Sequence, residues 1–469
     1  MPNTIYALFW FDVEDCTVTQ SDDAAKRLAN ILADHDVRGV FKVVGQKARM
    51  MRDRVRYDVI DALKRHEIGF HSNWHGLRPQ IAEYLAPCDW EQGVNEFATR
   101  ERPGLDSVRD LFGVNPVTYG QPGGNWAPHV FPVLRDWDIP TYVSGYGYIG
   151  LDCQPFWLGG LICTSHMYGS RFSGEQQRHL IGLNFELGTQ GALDAHKKAA
   201  AASIEQLATT GGLVHFINHP CTLVLEEWFN TNMKPRGLTE AGYAHYEEFL
   251  KWLLARENVK PVTATEMLKV FPDLAMGRAF TRDELRALAG SLSHEITFQR
   301  LGDVAVTAAE AFGMIVRALE QFVSRRQMPD SVGCKRVFNP TRRPLAPARE
   351  FAGSWQAFGH AVRAAAQCVA STGSVPNCVP FAGRLVAPHD FLAACAGVLK
   401  SLLSGESAPA EVAVRPVPTP MEDYVDEAAA RSSTRGAMAP PGGFDGSKMI
   451  DLAKLECWTL KPAVLTGSI

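Results

Sequence analysis

The run Ile5-Tyr6-Ala7-Leu8-Phe9-Trp10-Phe11-Asp12-Val13-Glu14-Asp15 decides how this chain is read. Seven apolar or aromatic residues in succession leave no polar face, as in a strand buried on both sides within a helix-covered parallel sheet. Three carboxylates in four positions follow at once, a costly arrangement unless a cation or solvent meets them. Functional groups in parallel α/β folds gather at the carboxyl ends of strands, so the acidic run is a candidate site as well as a strand end. The plainer reading is an acidic strand-to-helix loop in which Asp15 or a later residue caps a helix.

Outward from this strand, helical and strand-like spacing alternate. Residues 24–35 have helical periodicity, 39–44 read as a second strand, 57–65 as a short helix, and 68–70 as a third strand that ends at His71. Helices are expected over 94–112, 130–137, 192–207 and 241–254, with strands over 117–119, 141–143, 213–218 and 260–262. Repeated βα units imply a parallel sheet with helices outside, open or closed into a barrel. Near residue 275 the pattern changes, and 276–415 is alanine-rich and mainly helical. Three stretches there each end in Pro-x-x-Val, at Pro329, Pro376 and Pro409, which suggests a stacked helical repeat. From 416 to 469 the chain is rich in Pro, Gly, Ser and Ala and is expected to be a flexible tail.

Composition narrows the class. With 469 residues, more than one domain is expected; 46% apolar and 21% charged residues are ordinary for a globular protein. A formal net charge of -4 provides no field to gather nucleic acid or an anionic membrane, and no apolar run is long enough to span a bilayer. The first residues lack the basic-then-apolar pattern of a signal peptide, and the ten cysteines contain no CxxC pair. Both features point to a reducing, cytoplasmic location.

His71-Ser72-Asn73-Trp74-His75 places two imidazoles four residues apart just beyond a strand, in a loop or helical turn. A catalytic metal commonly takes three protein ligands and keeps a position open, so the pair needs one further donor. One carboxylate of the run Asp12, Glu14 and Asp15 can supply it while a neighbour, uncoordinated, accepts a proton. Taken alone, the pair also reads as two surface histidines. His215 and His219 lie on one face of a strand read over 213–218 and its end; His219, at the end, suits a general acid, and His215, deeper, a structural role. Tyr119-Gly120-Gln121-Pro122-Gly123-Gly124-Asn125-Trp126 joins a strand to a helix through three glycines. Such a loop can bring backbone N–H groups to an oxyanion, or be an ordinary turn; it lacks the features of a nucleotide loop.

In this order the motifs resemble the polysaccharide deacetylase, or NodB-homology, family of carbohydrate esterases, in the branch whose first motif reads Asp-Val-Glu-Asp, over about residues 5–270. The resemblance implies a distorted (β/α)7 barrel followed by a smaller, mainly helical domain, with domains at 1–275 and 276–415 before the tail. It implies Asp12 as catalytic base, His219 as the late catalytic histidine, and Glu14, Asp15, His71 and His75 as the candidate ligands of a divalent metal, with zinc expected. Tyr119, Gln121, Pro122 and Trp126 are then the candidate substrate contacts. The family's usual adjacent Asp-Asp is here a spaced run, and Gln121 stands where an arginine often orients the base. The Pro-x-x-Val segments are similar to pseudomurein-binding repeats.

The reading that follows is a metal-dependent hydrolase removing N-acetyl groups from a carbohydrate or related amide. Two others stay open: a cyclic-amide hydrolase similar to allantoinases, and a catalytically degenerate carbohydrate-binding protein, favoured by Gln121. The helical region could bind glycan, form a homo-oligomer or cover the barrel mouth.

Overall fold

The computed structural model describes residues 3–151, 154–167, 179–183, 187–228, 230–343, 350–427, 430–431 and 443–466. Its centre is an eleven-stranded, mostly parallel sheet that curls into a half-barrel. In chain order the strands are β1 (Ile5–Val13), β2 (Val40–Val43), β3 (Glu67–Phe70), β4 (Thr118–Tyr119), β5 (Thr141–Gly147), β6 (Phe156–Leu158), β7 (Leu161–Met167), β8 (Leu180–Gly182), β9 (Gly212–Asn218) and β10 (Val259–Val262). Ten strands run in one path, β19-β6-β7-β5-β4-β3-β2-β1-β9-β8, where β19 is Lys461–Pro462 at the far end of the chain. The eleventh, β10, pairs with the first half of β1, Ile5 to Leu8, while β2 takes the second half, Trp10 to Val13. The nine residues of β1 therefore serve three neighbours, β9 lining its other edge.

Sequence alternation along β1 sorts the core. Ile5, Ala7, Phe9, Phe11 and Val13 join the large outer core with the helices, whereas Tyr6, Leu8 and Trp10 join a second cluster on the inner face. That inner cluster also takes Val40 of β2, Val143 of β5 and Leu213 of β9. With period two, Asp12 and Lys42 continue the inner columns of β1 and β2, and Gly69 that of β3. His71, His215 and His219 fall in the same register on β3 and β9, two of them just past the strand ends.

Two differences from the sequence expectation concern the sheet. It has eleven strands rather than seven: β6 pairs antiparallel on β7, β19 antiparallel on β6, and β10 and β2 each pair with half of β1. It also keeps two ends, β19 and β8, with no pairing between them among the described residues.

The region after residue 275 is a duplication. Its first unit runs β11 (Ala279–Thr281), helix Arg282–Leu292, hairpin β12 (Gln299–Leu301) and β13 (Val304–Val306), helix Ala308–Arg325, then β14 (Ser331–Gly333), which pairs back antiparallel on β11. The second repeats this order as β15 (Phe351–Ser354), helix Trp355–Thr372, hairpin β16 (Val379–Phe381) and β17 (Arg384–Val386), helix Pro388–Leu403 and β18 (Glu411–Val414), with β18 on β15. Capping boxes at Thr281/Glu284 and Thr307/Glu310 start both helices of the first unit. The three Pro-x-x-Val segments follow three of the four helices, so they mark half-units rather than three whole repeats. No described helix is long and apolar enough to cross a membrane.

The flexible tail expected over 416–469 needs correcting where it is described. Helix Ser447–Glu456 buries Met449 and Ile450, Trp458 and Leu460 are buried beyond it, and β19 closes on β6. Lys461 on β19 is buried and pairs with Asp273 at 2.7 Å and Glu310 at 2.9 Å, linking the sheet to the duplicated region. The most Pro/Gly/Ser-rich part, 432–442, lies outside the described residues.

Candidate metal centre

β1 ends on its inner face at Asp12 and is followed by Glu14; both are buried. His71 leaves the end of β3 with its Nε2 3.2 Å from Glu14 Oε2, and His75 Nε2 lies 2.7 Å from the same oxygen. Donor atoms of Glu14, His71 and His75 all lie within 4.8 Å of one another, as do those of Asp12, Glu14 and His219. Glu14 therefore takes the position between the histidines. Asp15 does not: its carboxylate accepts from the Thr17 hydroxyl at 2.6 Å and forms a local turn, not the helix cap of the plainer reading, since helix Gln20–Asp34 has Thr19 at its N-cap with no side-chain cap bond.

The loop bearing the histidines is not a helical turn. Ser72 and His75 have φ of 67° and 53°, left-handed values that bulky side chains rarely adopt. Such a conformation persists where its surroundings over-determine it. Here the buried carboxylate of Glu101 accepts from the Asn73 amide at 2.6 Å, the Asn73 side chain donates to Arg100 O at 2.9 Å, and Ser72 Oγ accepts from His75 N at 3.0 Å. Glu101, Arg100 and Gly104 all belong to helix Trp90–Phe112, and a Cβ at Gly104 would come within 2.5 Å of the Asn73 backbone, so only glycine permits this approach.

The second site residue pair is Asp12 and His219. His219 follows β9, and its Nε2 stands 3.4 Å from Asp12 Oδ2, the oxygen that also lies 3.7 Å from His71 Nε2. The His219 ring meets Trp228 edge-on at 4.5 Å. His215, two turns of the strand pleat deeper, accepts from the Trp10 indole at 3.2 Å, a structural contact.

Electrostatics follow from the burial of opposite charges together. Burial alone would raise the Asp12 carboxyl, but His71 and Lys42, with a hydrogen bond from His219, hold it well below the usual carboxylate range. Glu14 is held low in the same way by His75 and His219 against its own desolvation. Burial lowers His71, whereas His75 is raised because the Glu14 carboxylate outweighs desolvation.

The donor set fits a divalent cation. Gly120 O accepts from His71 Nδ1 at 2.8 Å, which fixes the tautomer and leaves the Nε2 lone pair facing Glu14, the arrangement metal-binding histidines normally have. Two imidazoles and a carboxylate suit zinc and also cobalt, nickel, manganese or iron.

The four residues expected to touch substrate are buried and engaged with protein partners. Tyr119 points to the outer face of β4 and is fully buried among Phe70, Phe97 and Tyr142. Trp126 is buried, stacks on Tyr148 at 4.1 Å and donates its indole N–H to Ala430 O. Pro122 is buried with its carbonyl accepting from Asn125. Gln121 accepts from the Tyr142 hydroxyl at 2.6 Å and donates to Gly123 O at 3.1 Å. What the sequence reading missed is Lys42, whose Nζ stands 2.9 Å from Asp12 Oδ1. A signal was present: a single lysine in an otherwise apolar buried strand, Val40–Val43, must have a partner.

Fold and site together define an α/β half-barrel with a buried histidine–carboxylate cluster at the carboxyl ends of β1, β3 and β9. No family model matches the chain, and no curated protein matches it. Among solved structures, a protein assigned as a polysaccharide deacetylase from Mycobacterium smegmatis is similar over 57% of this chain and 90% of its own, with 18% identity and a TM-score of 0.38. Puue allantoinase is similar over 57% and 91%, with 14% identity and a TM-score of 0.39. A CE4 family pseudoenzyme from Bacillus anthracis is similar over 57% and 66%, with 14% identity and a TM-score of 0.30.

Proposed function

We propose that the chain is a metal-dependent hydrolase that removes an N-acetyl group from a carbohydrate or a related amide. The observation that carries this reading is the convergence of Glu14, His71 and His75 around one point, with Asp12 and His219 side by side next to it. Glu14 and the two histidines would hold the metal, which supplies Lewis-acid activation of water and of the amide carbonyl. Asp12, kept ionised by its cationic neighbours, takes the proton of the attacking water. His219 delivers a proton to the leaving nitrogen as the C–N bond breaks, so acetate and a free amine are the products. Burial of Asp12 and Glu14 keeps bulk water from competing for these protons. The degenerate, binding-only alternative rests on Gln121 standing in an arginine position; the Lys42 ammonium 2.9 Å from Asp12 supports the active reading instead, because it gives the base a cationic partner.

Acetate release from acetylated chito-oligosaccharides by the zinc-loaded chain, lost in His71→Ala, is the expected result. Turnover of a cyclic ureide without acetate release would replace this reading with a cyclic-amide hydrolase. A metal-loaded chain that binds the glycan without turning over either substrate would replace it with a binding protein.

A further inference from the structure

Lys42 occupies a space shaped for its ammonium. It lies on the inner face of β2 at 1% exposure, with Nζ 2.9 Å from Asp12 Oδ1, 3.0 Å from the carbonyl oxygen of Val143 on β5, and 3.8 Å from the ring centre of Trp10 on β1. Two glycines make room for it: a Cβ at Gly69 would come within 2.7 Å of Lys42 Cγ, and one at Gly120 within 2.2 Å of Nζ. A buried ammonium is tolerated only when paired and hydrogen-bonded, and here Nζ has an ion pair with Asp12, a hydrogen bond to Val143 O and the face of the Trp10 ring.

The consequence falls on Asp12. Its Oδ1 is taken by Lys42, which leaves Oδ2 to face His71 Nε2 at 3.7 Å and His219 Nε2 at 3.4 Å. Both polar ends of Gln121 are engaged with Tyr142 and Gly123, so that side chain does not do this work. We infer that Lys42 is the positioning residue for the base Asp12, fixing from β2 which carboxylate oxygen is presented to the reacting water. The inference rests on the hydrolase reading above for its kinetic consequence.

The test uses the zinc-loaded full chain as wild type, Asp12→Asn, Lys42→Met and Lys42→Arg, with acetate release, zinc binding and thermal melting measured on each. Lys42→Met is expected to fold and bind zinc as wild type does, with kcat about 100-fold lower and KM unchanged, because misplacing a reacting group costs rate rather than binding. Lys42→Arg is expected to recover at least about tenfold of that loss, since it keeps the cation. A folded Lys42→Met with kcat within about twofold of wild type, while Asp12→Asn is inactive, overturns the role of Lys42 and leaves the hydrolase reading standing. Should Lys42→Met not fold, Lys42→Arg decides: an active arginine variant supports the inference and a folded, inactive one overturns it. If wild type turns over nothing, the hydrolase reading fails, and crystal structures of the wild type and whichever variant folds decide the positioning claim. An Asp12 carboxylate displaced by more than about 0.5 Å supports it, and one that stays in place overturns it.

Discussion

Asp12→Asn should destabilise the metal-free chain strongly at pH 7 and less as pH rises. Asp12 and Lys42 are both buried at 2.9 Å, and removing one partner of such a pair leaves the other charge uncompensated, which costs about 3–5 kcal/mol. Lys42 has one escape, shedding its proton. Each pH unit below an ordinary lysine pKa of about 10.4 makes that cost about 1.4 kcal/mol, so the escape costs about 5 kcal/mol at pH 7 and about 2 kcal/mol at pH 9. The penalty of Asp12→Asn is capped accordingly. Burial already lowers Lys42 with Asp12 present, so the neutral form is within reach once Asp12 loses its charge. Lys42→Met leaves Asp12 with His71 and His219 and should cost less, about 2–4 kcal/mol. The double variant removes both charges and should be more stable than the sum of the singles by about 3 kcal/mol. Urea unfolding in the presence of chelator, at pH 7 and pH 9, measures all three. Additivity within about 0.5 kcal/mol, or an Asp12→Asn penalty that does not shrink by pH 9, would refute the reasoning.

Two further outcomes are expected. His66 accepts from Gly39 N–H at Nδ1 and donates from Nε2 to Ala29 O, which locks it neutral, and burial lowers it from about 6.5 to about 4. A depressed histidine stabilises fully above the unfolded value, so about 2–3 kcal/mol should be lost as pH falls from about 6.5 through about 4, and His66→Gln should flatten that slope in thermal melts. Lys461→Met should leave the buried Glu310 without its cation, while the partly buried Asp273 keeps Arg336 at 3.5 Å; the change should cost about 3–5 kcal/mol and expose residues 443–466 to limited proteolysis, and wild-type cleavage kinetics would sink this account of the anchor.

Much of the inner architecture was readable because it is local. The apolar run of β1 stops at Asp12, the short β3 stops before His71, and β9 stops before His219, so strand ends and chemistry coincide in the sequence itself. The choice between Glu14 and Asp15 was not, since it depends on Thr17 folding the chain back so that it hydrogen-bonds Asp15. Lys42 escaped because its partner is thirty residues away on another strand, and Trp126 because the segment that covers its indole, at Ala430, is distant in sequence. The duplicated region showed its helix ends through proline and valine, but the pairing of β11 with β14 and of β15 with β18, which defines the unit, is non-local. Composition misread 443–466 for the same reason: burial of Trp458 and the Lys461 ion pairs come from partners elsewhere in the chain.

The claim on which the rest depends is that one divalent cation sits among Glu14, His71 and His75. Anomalous diffraction at the zinc edge from zinc-soaked crystals, on wild type and Glu14→Gln, tests it directly. The account predicts a single strong peak within about 2.0–2.2 Å of Glu14 and of Nε2 of both histidines in the wild type, and its loss in the variant. A peak held instead by Asp15, or by Asp12 and His219 without His71 and His75, or no peak in this cluster, would contradict it.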